Sequence, residues 1–289
     1  MIKHSISLTP NQHGLWFVVN RGRIWVNAAR QIPQGNLSAL TLSAEPEQIC
    51  RLGELAGQDA YLLINHDHIA DDDEWVSPRD LLSEGEQIFH LAARAVQVAL
   101  FLQTHRFCGQ CGSAMSLVSW ELAALCNKCG HRCYPRIAPC VLVGIVKDDK
   151  ILLARSSRHR PGFFSILAGF VESAETLEQA AVREVKEEVG VDIANLRYVG
   201  SQPWPFPQSC MIGFTATSDD TVPLNVDTNE LVSARWFKKS DVALAATVEG
   251  ATMQLPVAEA ALKNDPTLPL LIPPKGVIAR KLIDKWLVD

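Results

Sequence analysis

The chain has 289 residues, of which 47% are hydrophobic and 20% charged, a mixture that is typical of globular proteins and excludes a disordered chain. Its 27 Lys and Arg against 32 Asp and Glu leave a net charge of −5, which disfavours a general electrostatic nucleic-acid binder but permits a local basic patch. The length is about that of two average domains and predicts two modules.

The composition of the chain also bears on its compartment. The longest nearly apolar run, residues 137–146, is far shorter than the ~20 residues of a membrane-spanning helix. The first twelve residues lack the apolar region of a signal peptide, so we expect a cytoplasmic protein that does not contact membranes. Eight cysteines are too few for a disulfide scaffold, and four of them form two pairs, which indicates a metal site in a reducing compartment.

Residues 1–104 predict an N-terminal α/β domain. The predicted short strands are Leu15–Val19, Ile24–Val26 and Tyr61–Ile64. The first two are predicted to form a hairpin around Asn20-Arg21-Gly22. Apolar residues recur with helical spacing over residues 84–104 and predict a helix there. The acidic turn at residues 71–74 is interpreted as a solvated loop, and His66 and His68 as ordinary surface or core residues.

Residues 135–265 predict a second domain in which helices and strands are mixed, so the fold class is α+β, and residues 266–289 predict a helical C-terminal segment. The predicted strands are Val141–Val146, Ile151–Ala154, Leu196–Val199, Met211–Ala216 and Ala234–Phe237. The predicted helices are Leu177–Val189, which Gly190 ends, and Val277–Leu287.

Between these domains, residues 105–134 contain two C-x2-C pairs separated by fourteen residues. The four cysteines are Cys108, Cys111, Cys126 and Cys129. This spacing lets two tight turns converge on one ion, and Gly109, Gly112 and Gly130 permit left-handed backbone in those turns. Four thiolates suit a closed structural Zn²⁺ site, so we predict a zinc ribbon.

Other interpretations of the ribbon stay open. Four buried unpaired cysteines are one, and a redox pair is disfavoured because no βαβ pattern adjoins either C-x2-C. His131 and Cys133 lie close enough in sequence to compete as ligands. The basic and aromatic stretch His131, Arg132, Tyr134 and Arg136 either holds a nucleotide or is ordinary surface.

The segment with the clearest chemistry is GFVESAE at residues 169–175, followed after seven residues by REVKEEVGV at 183–191. Thr176 and Gln179 have capping-box spacing and predict that a helix begins there. At 100° per residue, Glu184, Glu187 and Glu188 share one arc of that helix. An acidic face of this kind is often merely solvated. Here the acidic face adjoins Arg183 and a glycine loop. Carboxylate oxygens of this type suit Mg²⁺ or Mn²⁺ as ligands, and such ions assist the attack of water on a phosphoanhydride.

This segment resembles the Nudix box, G-x5-E-x7-R-E-U-x-E-E-x-G-U with U aliphatic, at every specified position. The resemblance implies a Nudix hydrolase with an α/β/α sandwich fold. It implies that Glu184 and Glu188 are the principal metal ligands, that Glu187 is a further ligand or the base, and that Arg183 and Glu175 pair in a supporting role. It adds the backbone carbonyl of Ala168 and the carboxylate of Glu230 as further metal ligands.

Downstream, SQPWPFPQS at residues 201–209 holds two aromatic side chains between prolines, which restrict the backbone φ angle. Following a Nudix box and a zinc ribbon, it resembles the signature of the NADH pyrophosphatase subfamily. The resemblance implies stacking of nicotinamide on Tyr134 and Phe170. It implies the following substrate contacts: Arg79, Glu121, Tyr134, Phe170, Gln202, Pro203, Trp204, Pro205, Phe206, Pro207, Gln208, Ser209 and Ala279.

The subfamily hydrolyses NAD(H) to NMN(H) and AMP with Mg²⁺ or Mn²⁺, and its members remove NAD caps from RNA to leave a 5′-monophosphate. It is typically homodimeric, which would let Tyr134 reach the partner subunit's site. Two alternatives stay open: a nucleotide-sensing regulator that uses the ribbon for nucleic acid, and a Nudix enzyme for ADP-ribose or diadenosine substrates. The complete acidic set argues against the first, and the proline segment argues against the second.

Overall fold

The computed structural model describes residues 12–37, 40, 49–65, 74–159, 161–219, 221–247 and 270–289. The chain divides into two compact units, one running to Ile137 and including Pro205–Gln208, the other comprising Ala138–Trp204 and Ser209–Asp289. His66, His68 and residues 71–73 lie outside the described residues. No described helix has both the length and the apolar character needed to span a membrane.

The first unit contains a six-stranded sheet in the order β4-β5-β1-β2-β6, with β3 paired to β1. Its strands are β1 His13–Asn20, β2 Arg23–Trp25, β3 Gln34–Asn36, β4 Ile49–Leu55, β5 Gln58–Ile64 and β6 Trp75–Val76. The predicted hairpin forms, since Val19 pairs with Ile24 in antiparallel register. Arg21 and Gly22 form its turn with φ angles of +48° and +76°.

Helix α1, Glu86–Thr104, covers one face of this sheet and follows a 3-10 helix at Pro78–Glu84. The predicted helix began two residues too early because Gly85, at φ +123°, separates the two helices. Apolar residues of α1 join residues of β1, β4 and β5 in the buried core, among them Ala92, Ala95 and Ala99. The unit ends in a three-stranded ribbon, β7 Met115–Leu117, β8 Ala124–Cys126 and β9 Arg132–Cys133.

The second unit contains a mixed sheet in the order β13-β14-β10-β11-β15, with β12 paired to β10. Its strands are β10 Ala138–Lys147, β11 Lys150–Ser156, β12 Leu167–Phe170, β13 Ala194–Trp204, β14 Ser209–Thr217 and β15 Leu231–Lys238. Strands β10 and β14 are parallel and the other pairs are antiparallel. The helices are α2 Leu177–Val189, α3 Lys239–Ala246 and α4 Ile278–Val288.

Helices cover both faces of this second sheet. Ala181, Val185 and Val189 of α2 are fully buried in one core with residues of β10, β11 and β14. Helix α4 approaches β14 so closely that a Cβ at Gly213 would lie 3.0 Å from Ile278. The α+β class and the α/β/α arrangement that the resemblance implies are therefore confirmed.

The proline segment at 201–209 departs from the loop that its composition predicts. Residues up to Trp204 belong to β13 and Ser209 begins β14, so only Pro205–Gln208 form the turn of a hairpin. Pro203 is tolerated in the strand because β13 lies at the edge of the sheet, where an N–H can be missing without loss of a ladder hydrogen bond.

Candidate active site

Helix α2 begins as its capping residues predict. The Thr176 hydroxyl accepts the Gln179 N–H, the Gln179 side chain accepts the Thr176 N–H, and Gly190 ends the helix in the left-handed conformation at φ +75°. Its buried stripe includes Glu188 next to Val185 and Val189. The acidic arc therefore lies along the border of the core instead of facing solvent throughout.

The Arg183 guanidinium uses all five of its N–H groups. Nε and Nη2 donate to the two Glu175 oxygens at 2.7 and 2.8 Å, and Nη1 donates to Glu184 at 2.9 Å and Glu187 at 3.0 Å. Nη2 also donates to the backbone carbonyl of Phe170 at 2.9 Å. The hydrogen bonds from Arg183, and then the one from the Glu172 N–H, lower the pKa of Glu175 to about 2. This one side chain thus fixes helix α2, the loop before it and the end of β12.

Glu184 lies directly against the backbone of Gly169. A Cβ at position 169 would come within 1.8 Å of Glu184 Cδ and about 2 Å of both carboxylate oxygens. Gly169 sits in β12, paired with Val141, and is not among the glycines with positive φ. The glycine is therefore required for space beside a carboxylate, and the glycine loop that the sequence suggested is a strand at this position.

Glu188 is a carboxylate buried in an unusual setting. Its exposure is 5%, and its Oε2 atom has no hydrogen-bond partner among the described residues. Burial and the nearby carboxylates of Glu184, Glu230 and Asp227 raise its pKa to about 8. A buried, unpartnered carboxylate surrounded by other carboxylates fits a site for a divalent cation, which would neutralise them. The Glu187 side chain is 62% exposed and reaches towards Arg183.

Glu230 is held at the end of α2 by a short connection that the sequence did not reveal. The Asp227 N–H donates to the Glu188 carbonyl at 2.9 Å, and the Asp227 carbonyl accepts the N–H groups of Glu230 and Leu231. The Asp227 carboxylate accepts the Asn229 N–H at 2.9 Å in a local turn. The detectable signal was Asp-x-Asn, a turn-forming pattern immediately before Glu230.

The carboxylates do not form a tight ligand set. Within the part of the chain that the structure describes, only the four cysteines form a group of ligand atoms that all lie within 4.8 Å of one another. Ala168 is exposed in β12, opposite Leu142. The metal-ligand roles of Glu184, Glu188, Glu230 and Ala168 stay predictions.

The cysteine quartet has the geometry of a zinc site. The Sγ atoms of Cys108 and Cys129 are 3.6 Å apart, and those of Cys111 and Cys126 are 3.5 Å apart. Tetrahedral zinc with Zn–S bonds of about 2.3 Å separates its sulfurs by about 3.8 Å. His131 and Cys133 lie outside the group found among the described residues.

Two glycines shape the zinc knuckles. Gly112 and Gly130 take φ angles of +73° and +74°, and their N–H groups donate to the Cys108 and Cys126 carbonyls. Gly109 does not take a positive φ, so the expected left-handed backbone at that position is wrong.

Beyond the quartet, the ribbon surface carries a small polar network. The Arg132 guanidinium and the Tyr134 hydroxyl both donate to Glu121 Oε1, at 3.1 and 3.4 Å, and Trp120 donates to the same atom at 3.2 Å. The Tyr134 ring is 51% exposed. In the second unit, the Phe170 ring is 54% exposed, so both predicted stacking residues present accessible faces.

The aromatic residues of the proline segment, Trp204 and Phe206, are less exposed than Tyr134 and Phe170. The Arg79 guanidinium lies over the Phe206 ring at 4.1 Å, within the first unit, so Arg79 contacts a residue of the proline segment. Trp204 is half-buried. The other members of the segment range from buried to exposed: Pro205 and Ser209 are buried, Gln208 is half-buried, and Pro203 and Pro207 are exposed.

The Gln202 side chain is buried and hydrogen-bonded to the backbone within the second unit. It is 3% exposed, its Nε2 donates to the Gly276 carbonyl at 2.8 Å, and its Oε1 accepts the Ile278 N–H at 2.9 Å. Both ends of the Gln202 amide thus bind the backbone at the start of α4, and the predicted contact of Gln202 with substrate stays a prediction. Ala279, another predicted substrate contact, follows Ile278 in that helix and is itself largely buried.

Comparisons with known proteins agree with this geometry. The NUDIX domain family matches residues 136–255, and the NADH pyrophosphatase zinc ribbon domain matches residues 103–134. A curated protein of Photorhabdus laumondii named NAD-capped RNA hydrolase NudC is 40% identical over 284 residues, covering 97% of this chain and 96% of its own. This chain belongs to the NADH pyrophosphatase subfamily of the Nudix hydrolases.

Other matches extend over most or part of this Nudix hydrolase. A protein of Salmonella heidelberg with the same name is 39% identical over 273 residues, covering 94% of this chain and 93% of its own. The crystal structure of a Nudix hydrolase from Nitrosomonas europaea matches 59% of this chain and 99% of its own, at 21% identity and a TM-score of 0.42.

The ribbon of this Nudix hydrolase gives a direct prediction for zinc. Cys126→Ser is expected to lose stoichiometric zinc and to lower the melting temperature, because three thiolates leave the tetrahedral site incomplete. Zinc per chain is measured by atomic emission and unfolding by calorimetry. Cys133→Ser in the same ribbon is the matched control and should keep one zinc. A full equivalent of zinc in the Cys126 variant would contradict the four-cysteine site.

The backbone hydrogen bonds of Gln202 give a second prediction. Gln202→Met is expected to raise hydrogen exchange at the Ile278 amide about tenfold or more in the substrate-free enzyme, because a buried hydrogen bond is lost. Exchange is followed by mass spectrometry, with Gln208→Met as the matched control. Unchanged exchange together with a raised KM for NADH would show instead that Gln202 contacts substrate directly.

Proposed function

We propose that this Nudix hydrolase cleaves the pyrophosphate of NAD(H) to NMN(H) and AMP, and removes NAD caps from RNA to leave a 5′-monophosphate. The observation that carries the proposal is the buried, unpartnered Glu188 carboxylate beside the carboxylates that Arg183 organises. The zinc-ribbon match and the names of the two curated relatives support this choice of substrates.

The residues of the box have distinct proposed roles. Glu184 and Glu188, with Glu230 and the Ala168 carbonyl, would hold Mg²⁺ or Mn²⁺, and Glu187 is either a further ligand or the base. When bound, the divalent cation supplies positive charge that polarises the phosphoanhydride and acidifies water. Its identity as Mg²⁺ or Mn²⁺ belongs to the proposal.

The chain itself orients these groups. Arg183 holds Glu184 and Glu187 in place and pins the Phe170 carbonyl, so the acidic side chains and the proposed stacking residue share one support. Water adds across the phosphoanhydride, so that one phosphate leaves on NMN(H) and the other on AMP. A general base such as Glu187 would accept the proton of the attacking water.

The substrate contacts are proposed from exposed faces of the described side chains. The exposed Phe170 ring suits stacking of a nicotinamide, and the exposed Tyr134 ring suits the same role in the partner subunit's site. Glu121, bonded to Tyr134, and the Phe206 ring under Arg79 are proposed to contact the remainder of the dinucleotide.

A homodimer and a cytoplasmic location are part of the proposal. Exposed apolar residues on the ribbon, including Phe107 and Trp120, support a subunit interface there. Four reduced cysteines arranged for zinc support a reducing compartment. Sedimentation equilibrium tests the dimer, and a monomer at micromolar concentration would contradict it.

Product analysis tests the activity. The enzyme is incubated with Mn²⁺ and, separately, with NADH, ADP-ribose and a short NAD-capped RNA, with Glu188→Gln as the inactive control. We expect NMNH and AMP from NADH and monophosphate RNA from the capped substrate. Preference for ADP-ribose would favour a Nudix enzyme for ADP-ribose or diadenosine substrates. Binding of NADH without turnover would favour a nucleotide-sensing regulator.

A further inference from the structure

The second unit carries a group of basic side chains outside the Nudix box, which we call the basic cluster: Arg155, Arg158, His159 and Arg235. They come from two stretches of sequence, residues 150–171 and 231–240, which together contain seven Lys and Arg and no Asp or Glu. The chain as a whole has a net charge of −5. Positive charge is therefore concentrated in these two stretches, although the chain as a whole is negatively charged.

Strand register places Arg155, and the loop that follows it, at the end of the sheet where Glu230 lies, whereas Arg235 pairs with Leu153 in the middle of β15. Ser156 at the end of β11 pairs with Leu231, which directly follows Glu230. Leu152 of β11 pairs with Ile145 of β10, and Gly169 of β12 pairs with Val141 of β10, so β11 and β12 run in the same direction. Their C-terminal ends therefore lie at the same end of the sheet. The loop that carries Arg158 and His159 leaves the sheet at this end.

The cluster lies on the face of the sheet away from α2. Leu152 and Ala154 pack in the core that contains α2, so Arg155 faces the opposite side. On that side Arg235 lies over the Phe164 ring at 5.8 Å, and the His159 ring contacts Phe163 at 5.0 Å between ring centres. Packed aromatic rings thus support the positive groups.

Arg155 and Arg158 lack partners among the described residues, whereas Arg235 Nε donates to the Ser233 hydroxyl at 3.2 Å. The side chains of Arg155 and Arg158 form no hydrogen bond or ion pair with any described residue, and the buried His159 Nδ1 atom has no hydrogen-bond partner among them. Burial, and then the charges of Arg155 and Arg158, lower the pKa of His159, which favours its neutral form. The two arginine charges repel each other, and a bound anion would offset that repulsion.

Protection of a sheet edge does not account for the arrangement. Positive residues on edge strands prevent pairing with other chains, and this explanation covers Arg235 on the edge strand β15. Strand β11 lies inside the sheet, between β10 and β15, so its residue Arg155 and the following Arg158 need another reason.

We propose that the basic cluster binds phosphates of the single-stranded RNA that follows an NAD cap. The proposal rests on the proposed function and assigns the RNA a site. In capped RNA the adenosine of NAD carries a further phosphodiester on its 3′ oxygen, which free NADH lacks. A site for those phosphates would therefore contribute to the binding of capped RNA and not to the hydrolysis of free NADH.

The test compares two substrates. Arg155→Gln and Arg158→Gln, singly and together, are assayed for kcat/KM with NADH and with NAD-capped RNA at several salt concentrations. Arg197→Gln is the matched control, because Arg197 is an exposed cation on β13 towards the opposite end of the sheet. Circular dichroism and melting temperature confirm that each variant folds.

The double variant is expected to lose about tenfold or more in kcat/KM for capped RNA, mainly through KM, while NADH stays within twofold. The slope of log kcat/KM against log salt should fall by about 0.7 for each phosphate contact removed. An equal loss with NADH would place the cluster at the dinucleotide and overturn the proposal, as would equal activity of all variants on RNA. Wild-type enzyme that cleaves neither substrate would instead show that the proposed function fails.

Discussion

Replacing Glu188 with glutamine is expected to lower kcat for NADH by about 10²-fold or more, because the substitution removes a charge that would hold the cation at the phosphoanhydride. Glutamine has nearly the shape of glutamate, so packing beside Val185 and Val189 is kept. The buried Oε2 atom has no partner to lose among the described residues. Steady-state kinetics at saturating Mn²⁺ measures the effect.

Stability should respond in the opposite direction. Without divalent metal, the melting temperature of Glu188→Gln should equal or exceed that of the wild type, because a neutral amide costs less to bury than a carboxylate among carboxylates. Glu178→Gln, at an exposed position in the first turn of the same helix, is the matched control and should retain activity. Activity of Glu188→Gln within a few fold of wild type would show that Glu188 is not a ligand.

Gly169→Ala is expected to lower kcat by about 10²-fold while the protein stays folded, because a shift of a reacting group by about 1 Å can cost this much. The added methyl group would occupy the space of the Glu184 carboxylate, which must then leave its position beside β12. The Glu184 hydrogen bond to Arg183 would be lost at the same time. NADH kinetics and calorimetry measure activity and folding.

The control for this substitution is Gly200→Ala. Gly200 lies in β13 of the same sheet, has no positive φ, and a Cβ there would meet nothing within 4 Å. This variant should keep its activity within twofold. A fully active Gly169→Ala enzyme would show that Glu184 tolerates displacement and that its carboxylate is not placed by the glycine.

Local signals in the sequence predicted the elements that depend on nearby residues. Thr176 and Gln179 marked the start of α2 and Gly190 its end, because capping and left-handed termination involve residues within one turn. The hairpin at Arg21-Gly22 was predictable for the same reason. The fixed spacing of the Nudix box likewise identified Arg183 and its acidic neighbours from the order of residues alone.

Contacts between distant segments were not predictable. The bonds between Gln202 and the backbone of Gly276 and Ile278 join residues more than 70 positions apart, so no local pattern could indicate them. The strand at β12 was missed because its four residues include Gly169, which suggests a loop, and its pairing with β10 depends on the folded sheet. Burial of Glu188 equally required knowledge of which neighbours close over the helix.

The five bonds of Arg183 have a consequence for how the box tolerates change. Substitutions at Glu175, Glu184 and Glu187 each remove an acceptor from the same guanidinium, so their effects on activity should be strongly non-additive in double-mutant cycles. Lysine offers three donors on one atom and cannot reproduce the planar fork at 183. Even a substitution at 183 that keeps the positive charge would therefore leave acceptors on α2, the loop before it and β12 without a donor.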